Sequence, residues 1–289
     1  MQAGRVGGNQ DWQADRMEPE RQGYSRIAAA FTLAELTFHG AVRAIRKGHG
    51  NAIIGLLMNM FQILVLVLVF YVVFMFIGFG NRGIRGDFLL YVMTGVFLFM
   101  CHVKAMTAVV GSEGPTSAMM KHAPMNTYVA IGAAALSQLY IQLLSVLVVL
   151  FLYHAIWAPV EIQDPLGAIL MLLLAWGYGV AVGLVFLAIK PWSPAFVQVT
   201  SQFYARVNMF ASGKMFVANV LPGFMLPYFA WNPLFHIIDQ ARGYTFLNYS
   251  PNHTSLEFAL WIMAAVLMLG LMGEFYTRRR ASLSWGAAK

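Results

Sequence analysis

Apolar residues come in six long runs along this chain, separated by short polar or turn-rich segments. The runs cover roughly 52–77, 88–110, 128–157, 166–189, 196–221 and 256–276. A bilayer core needs about 20 predominantly apolar residues per helix, and each run is near that length or longer. The pattern predicts an all-α membrane protein with six transmembrane helices. These spans take up residues 49–280 and leave no segment long enough for a separate soluble domain.

The flanking segments read differently. Residues 1–24 form a polar, glycine-rich tail without the apolar core of a signal peptide, so insertion is expected to rely on the first span. Residues 25–48 turn helical: Ile27, Phe31, Ala34, Phe38, Val42 and Ile45 recur at three- and four-residue steps. Glu35, His39, Arg43, Arg46 and Lys47 fall on the other side, while Leu33 and Leu36 break the stripe. This predicts an amphipathic helix in the cytoplasmic interface, its bases toward lipid phosphates or a soluble partner. The plainer reading is a helix that only orients the first span. Residues 281–289 are a short cytoplasmic tail.

Three connections carry local signals. In 111–127, Pro115 suits a helix's first turn and Pro124 should end it, leaving about two turns with Met119 and Met120 outward or sideways. Two prolines and Trp192 make 190–195 a stiff interfacial corner. Segment 222–254 is long yet rich in aromatic residues and broken by Pro222, Pro227 and Pro233. Such backbone beside a membrane fits outer re-entrant half-helices buried in protein or lining a cavity. Asn232-Pro233 reads as a cap and first turn, with the helix stopping at Gly243. Asp239 and Arg242, three apart, are placed to pair on it. Gly179 and Gly183 form a small-xxx-small packing signal in the fourth span.

Charge orients these spans. The formal net charge is +7, from 19 Lys+Arg against 12 Asp+Glu. In a membrane protein such an excess follows the positive-inside rule and needs no nucleic acid partner. Arg43, Arg46, Lys47, Lys121, Lys190, Arg278, Arg279 and Arg280 gather at alternate loops; the other side has only Arg82, Arg85 and Arg242. Both termini are therefore expected in the cytoplasm.

Missing chemistry narrows the function. Acidic residues avoid the span centres (Asp87, Glu257 and Glu274 fall at the ends), which disfavours an ion-coupled secondary carrier. The single cysteine, Cys101, builds no disulfide or thiolate metal site within one chain, and the histidines have no metal spacing. His102 and His154 read as packed or hydrogen-bonded residues. Ser212-Gly-Lys-Met215 lacks the upstream glycine and the following Ser/Thr of a phosphate-binding loop, so ATP hydrolysis by the usual route is excluded. What the spans do hold is positive charge: Lys104, Arg206 and Lys214. Lys104 is long enough to snorkel to the surface. Arg206 either faces a pathway and meets an anionic group or bonds Asn208, Gln202 or neighbouring carbonyls. Phe203, Tyr204 and Phe210 lie near it, and aromatic faces either stack on sugars or pack helices.

With these residues in view, the chain resembles the permease subunit of type-2 ATP-binding-cassette exporters, especially those for capsular and related cell-surface polysaccharides. The resemblance runs from about Phe31 to Arg280. It is carried by Arg206-Val-Asn-Met-Phe-Ala-Ser-Gly213, then Leu221-Pro222, then Asn232-Pro-Leu-Phe-His236 and Arg242. It implies a bacterial inner-membrane homodimer that works with separate ATPase subunits, which hold the ATP and magnesium. This chain would carry no cofactor of its own. Arg206, Lys104, Lys214, Phe203, Tyr204 and Phe210 would line the pathway of a lipid-linked, acidic polysaccharide. Pro222, Asn232, Pro233, His236, Asp239 and Arg242 would form the outer gate. Glu113, Pro115, Met119, Met120, Lys121, Arg43 and Lys47 would meet the ATPase. The competing readings are an exporter of a small hydrophobic drug or lipid, a secondary carrier, and a membrane anchor for a soluble complex.

Overall fold

The computed structural model describes residues 35–42, 45, 52–77, 87–112 and 127–286, and among these there are helices but no strand. By contact the chain separates into two compact units, Met1–Glu35 and Leu36–Lys289. The fold below is that of the second. Arg43, Lys47, Glu113, Pro115, Met119, Met120 and Lys121, the expected ATPase contacts, lie outside the described residues.

From Ala52 onward, eight α-helices follow one another among the described residues: α1 (Ala52–Ile77), α2 (Phe88–Val110), α3 (Thr127–Ile156), α4 (Pro165–Ile189), α5 (Pro194–Ala211), α6 (Leu226–Ala230), α7 (Pro233–Thr245) and α8 (Leu256–Gly286). Five of them, α1 to α4 and α8, are long and apolar enough to cross a membrane. The chain is thus a multi-pass helical membrane protein. The first two expected spans coincide with α1 and α2, and the next two with α3 and α4 to within a residue at each end. Local caps set several starts. The Asp87 carboxylate accepts from Leu89 N at 2.8 Å, and that of Asp164 accepts from Gly167 N at 3.0 Å with Pro165 in the first turn.

Two expected boundaries are corrected. The fifth run does not continue to 221: α5 stops at Ala211, and the chain turns through Gly213 with φ at +69°. Gln198, Gln202, Arg206 and Asn208 also make α5 more polar than the five long helices. The last helix runs on to Gly286, ten residues past the expected end. Glu274 is therefore well inside α8 rather than at an end, and it is buried.

Helices α2 and α4 form the centre, with α8, α3 and α7 packed around them. In its most apolar stretch α2 is 78% buried, against 11% for α8. The small-residue signal explains the close approach. A Cβ on Gly179 would lie 2.3 Å from the carbonyl oxygen of His102, and one on Gly183 would lie 2.9 Å from that of Met106. Gly179→Ala is therefore expected to cost about 1–3 kcal/mol by overpacking backbone on backbone. Gly177, on another face, would meet only the Met263 sulfur at 3.2 Å. There Gly177→Ala should be neutral or stabilising by up to about 1 kcal/mol through helix propensity. Thermal midpoints of the two variants in one detergent check the contrast; equal midpoints would refute it.

Polar residues add ties between the spans. Asn59 of α1 donates to Gln142 at 3.2 Å and to Ser145 at 2.8 Å, both on α3, and Gln142 reaches the Phe97 carbonyl on α2 at 3.4 Å. Lys190, after α4, donates to the Val110 carbonyl at the end of α2 at 2.7 Å. Residues 35–42 are helical. Their small residues turn toward α3, Gly40 against Ala133 and Thr37 against Gly132, while Phe38 and Val42 are exposed. That division leaves Phe38 and Val42 free to face lipid.

Candidate functional site

Helix α5 has two unlike faces. Gln198, Gln202 and Arg206, four residues apart, form one exposed polar stripe, flanked by exposed Val199, Phe203 and Phe210. The opposite face carries Val197, Tyr204 and Asn208 inward. Tyr204 places its hydroxyl 3.1 Å from Nε2 of the fully buried His102 on α2, whose ring stacks on Tyr178 of α4. Asn208 donates to the Tyr204 carbonyl at 3.1 Å and accepts from Asn232 at 2.9 Å. The helix is thus held on its inner side by α2 and by the cap of α7, and its outer side presents amides, a guanidinium and aromatic rims.

The chain then turns at Ser212–Val217 and is held there by α7. Asn232 caps α7, accepting from Leu234 N at 3.0 Å and donating to the Ala211 carbonyl at 2.9 Å. Arg242 is fully buried. Its guanidinium donates to the carbonyls of Gly213 (3.1 Å), Lys214 (2.8 Å) and Phe216 (2.7 Å), and lies 4.3 Å over the Tyr91 ring. The expected Asp239–Arg242 pair is not what forms. Asp239 instead accepts from the hydroxyls of Tyr249 and Thr254, the latter at 2.9 Å. Burial and the Asp239 carboxylate push the Tyr249 phenol well above its usual range, which keeps it a donor. At His236, Ser255 N donates to Nδ1 at 2.9 Å, so Nε2 carries the proton and donates to the Ala230 carbonyl at 2.8 Å.

α7 ends at Thr245 rather than at Gly243. The glycine serves close packing, since a Cβ there would meet the Pro251 ring at 2.8 Å.

The structure thus gathers Asn232, Pro233, His236, Asp239 and Arg242 on α7 and its cap, and leaves Pro222 exposed in the preceding loop. Of the expected pathway residues, Arg206, Phe203 and Phe210 share the exposed face of α5. Tyr204 is on the inner face, and Lys104 of α2 donates to Gln62 of α1. Lys214 is off the helix altogether and 2% exposed. Its ammonium lies 3.6 Å from the centroid of Phe99 and 4.5 Å from that of Phe70. Sequence reasoning passed over Tyr178, Tyr91 and the role of Asn208; only Asn208 had a signal, its place in the run 206–213. No group of three or more His, Cys, Asp or Glu suited to a metal occurs among the described residues.

A multi-pass helical membrane protein with a polar tie at its centre and a capped, buried half-length helix after α5 is the class these features define. No family model matches the chain. It is similar to two polysialic acid transport proteins of Escherichia coli, both named KpsM. Each is 23% identical over 202 residues, which cover 68% of this chain and 76% of the relative. The resemblance to polysaccharide-export permeases therefore stands on two grounds: the motif run at 206–242 and these alignments.

Proposed function

We propose that this chain is the membrane subunit of an ATP-driven exporter that moves a lipid-linked, acidic polysaccharide across the bacterial inner membrane. Two copies form the path, and separate cytoplasmic ATPases supply the energy through the segments around Arg43–Lys47 and 113–121. The observation that carries this reading is the exposed stripe Gln198, Gln202 and Arg206 on α5. An arginine facing lipid costs about 2.5–3.5 kcal/mol even on the milder insertion scales. A second copy or an aqueous path is a better neighbour for it than hydrocarbon. Amides and a guanidinium bind hydroxyl and carboxylate groups, and the flanking Phe203 and Phe210 offer apolar surface along which a sugar chain slides. The similarity to transport proteins for polysialic acid, an acidic polymer, points the same way. α6 and α7 would form the outer re-entrant gate, and both termini would be cytoplasmic.

Arg206→Ala tests the proposal in the native host, because Arg206 is exposed and makes no hydrogen bond among the described residues. Surface polymer is expected to fall about tenfold, the cost of one charge-assisted hydrogen bond. The amount of this protein in the membrane should stay constant. Unchanged export together with unchanged substrate-stimulated ATPase activity would refute the pathway role.

A further inference from the structure

Lys214 is the one lysine buried below a tenth of its surface among the described residues, and its Nζ has no hydrogen-bond partner among them. An ammonium carries three donors and no acceptor, so this placement leaves all three unpaired. Only the faces of Phe99 and Phe70 compensate, at 3.6 and 4.5 Å. An apolar side chain of the same length would fill this space at no such cost. A purely structural account therefore does not call for a lysine.

The backbone that carries Lys214 is built to come close. A Cβ on Gly95 of α2 would lie 2.8 Å from the Lys214 carbonyl oxygen, so glycine there lets the turn lie directly on α2. Gly95 is about 10 Å along the axis from the Phe88 end of α2, at the helical rise per residue. The residue before Lys214 is Gly213, in the left-handed region. Arg242 holds the carbonyls of Gly213, Lys214 and Phe216 and so pins the backbone of the turn. The lysine therefore leaves its aromatic cage by rotation about its own side-chain bonds while the backbone stays anchored.

We propose that Lys214 is a releasable latch. It closes the 212–217 turn onto α1 and α2 while its ammonium sits between Phe70 and Phe99. It opens when the ammonium is captured by an anionic group, a carboxylate or sulfate of a polysaccharide or the phosphate of a lipid headgroup. An anion binds the released ammonium and not the caged one, so it shifts the population toward the released side chain, which uncovers the neighbouring position 215. This deepens the export reading by naming an anionic ligand for the gate. It does not require Lys214 to line the path at rest.

The test uses the purified full chain in detergent with Met215→Cys, a half-buried position in the turn. Cys101 is the sole native cysteine and is buried, which keeps the background low. The rate of maleimide labelling is measured with dextran sulfate, with neutral dextran of the same length, and with phosphatidylglycerol in the micelle. Dextran sulfate or phosphatidylglycerol is expected to raise the rate about fivefold. A response to the polymer alone identifies the glycan as the source of the anion, and a response to the lipid alone identifies the headgroup. Lys214→Met should lower the basal rate and abolish the response, while Lys214→Arg should keep part of it. Labelling that is indifferent to both anions, equally fast with neutral dextran, or unchanged by Lys214→Met overturns the latch. Surface polymer in a strain lacking the gene is measured separately and decides the export reading on its own, whatever the labelling shows.

Discussion

Arg242→Met is expected to be among the most damaging single changes in this chain, costing about 3 kcal/mol or more. The guanidinium satisfies three carbonyls, the buried ones of Gly213 and Lys214 and the part-buried one of Phe216. A buried acceptor left unpaired costs about 1–3 kcal/mol, and methionine offers no donor to any of the three. The ring of Tyr91 also loses its cation. Arg242→Lys should recover less than half of the loss, because a single ammonium does not reproduce the planar fork that spans separate carbonyls. The measurement is the thermal midpoint of the purified protein, followed by loss of monodisperse signal on heating. A midpoint for Arg242→Met within about 2 °C of the parent would show that the turn does not depend on this residue.

The same turn predicts a second large effect from the opposite direction, by adding one carbon. Gly213→Ala places a side chain in the left-handed region, which costs an L-residue about 1–2 kcal/mol. Its Cβ would also lie 2.3 Å from Cδ2 of Phe235, a ring only 1% exposed and itself packed against Phe216 and Phe229. Overpacking of that kind adds about 1–3 kcal/mol. The two terms act together, so the variant should be destabilised well beyond Gly179→Ala, where helix propensity returns part of the cost. Gly223→Ala is the control in the same outer segment, since a Cβ there meets nothing within 4 Å. If Gly213→Ala and Gly223→Ala melt together, the conformation assigned to the turn is wrong.

Both predictions concern the elbow between α5 and α7, where the reading of the sequence and the structure part most clearly. Residues 196–221 have the length and enough apolar character to pass as one span. The break at Gly213 depends on a ring and a guanidinium that come from 235 and 242, and no local pattern reveals them. The cap at Asn232 was foreseeable because it is local chemistry: the amide accepts from an N–H two residues on, and the proline has no N–H to lose. The partner of Arg242 was not. Spacing on the helix suggested Asp239, but Asp239 turns to Tyr249 and Thr254 while Arg242 turns to the preceding loop.

The intramembrane bases show the same division. Lys104, Arg206 and Lys214 look alike along the chain, each a cation within an apolar run. Folding sends them to different fates: a hydrogen bond to Gln62, an exposed stripe, and a buried place between two aromatic rings. Only the second leaves its base exposed, as the proposed path requires. The glycines behave likewise. Gly179 and Gly183 announced a close helix contact, and α2 proved to be the helix against them, because its backbone at His102 and Met106 fills the space a Cβ would need.

Hydrophobic run length alone was enough for the number and limits of α1 to α4 and for the start of α8. Each is specified by the bilayer's demand for a continuous apolar, internally hydrogen-bonded segment, which is a property of consecutive residues. Which face of each helix meets lipid and which meets protein was settled by tertiary packing. In spans apolar all round, periodicity carries no contrast between the two. The central place of α2 and α4, the end of α5 and the sorting of the buried cations follow from contacts between residues far apart in the chain.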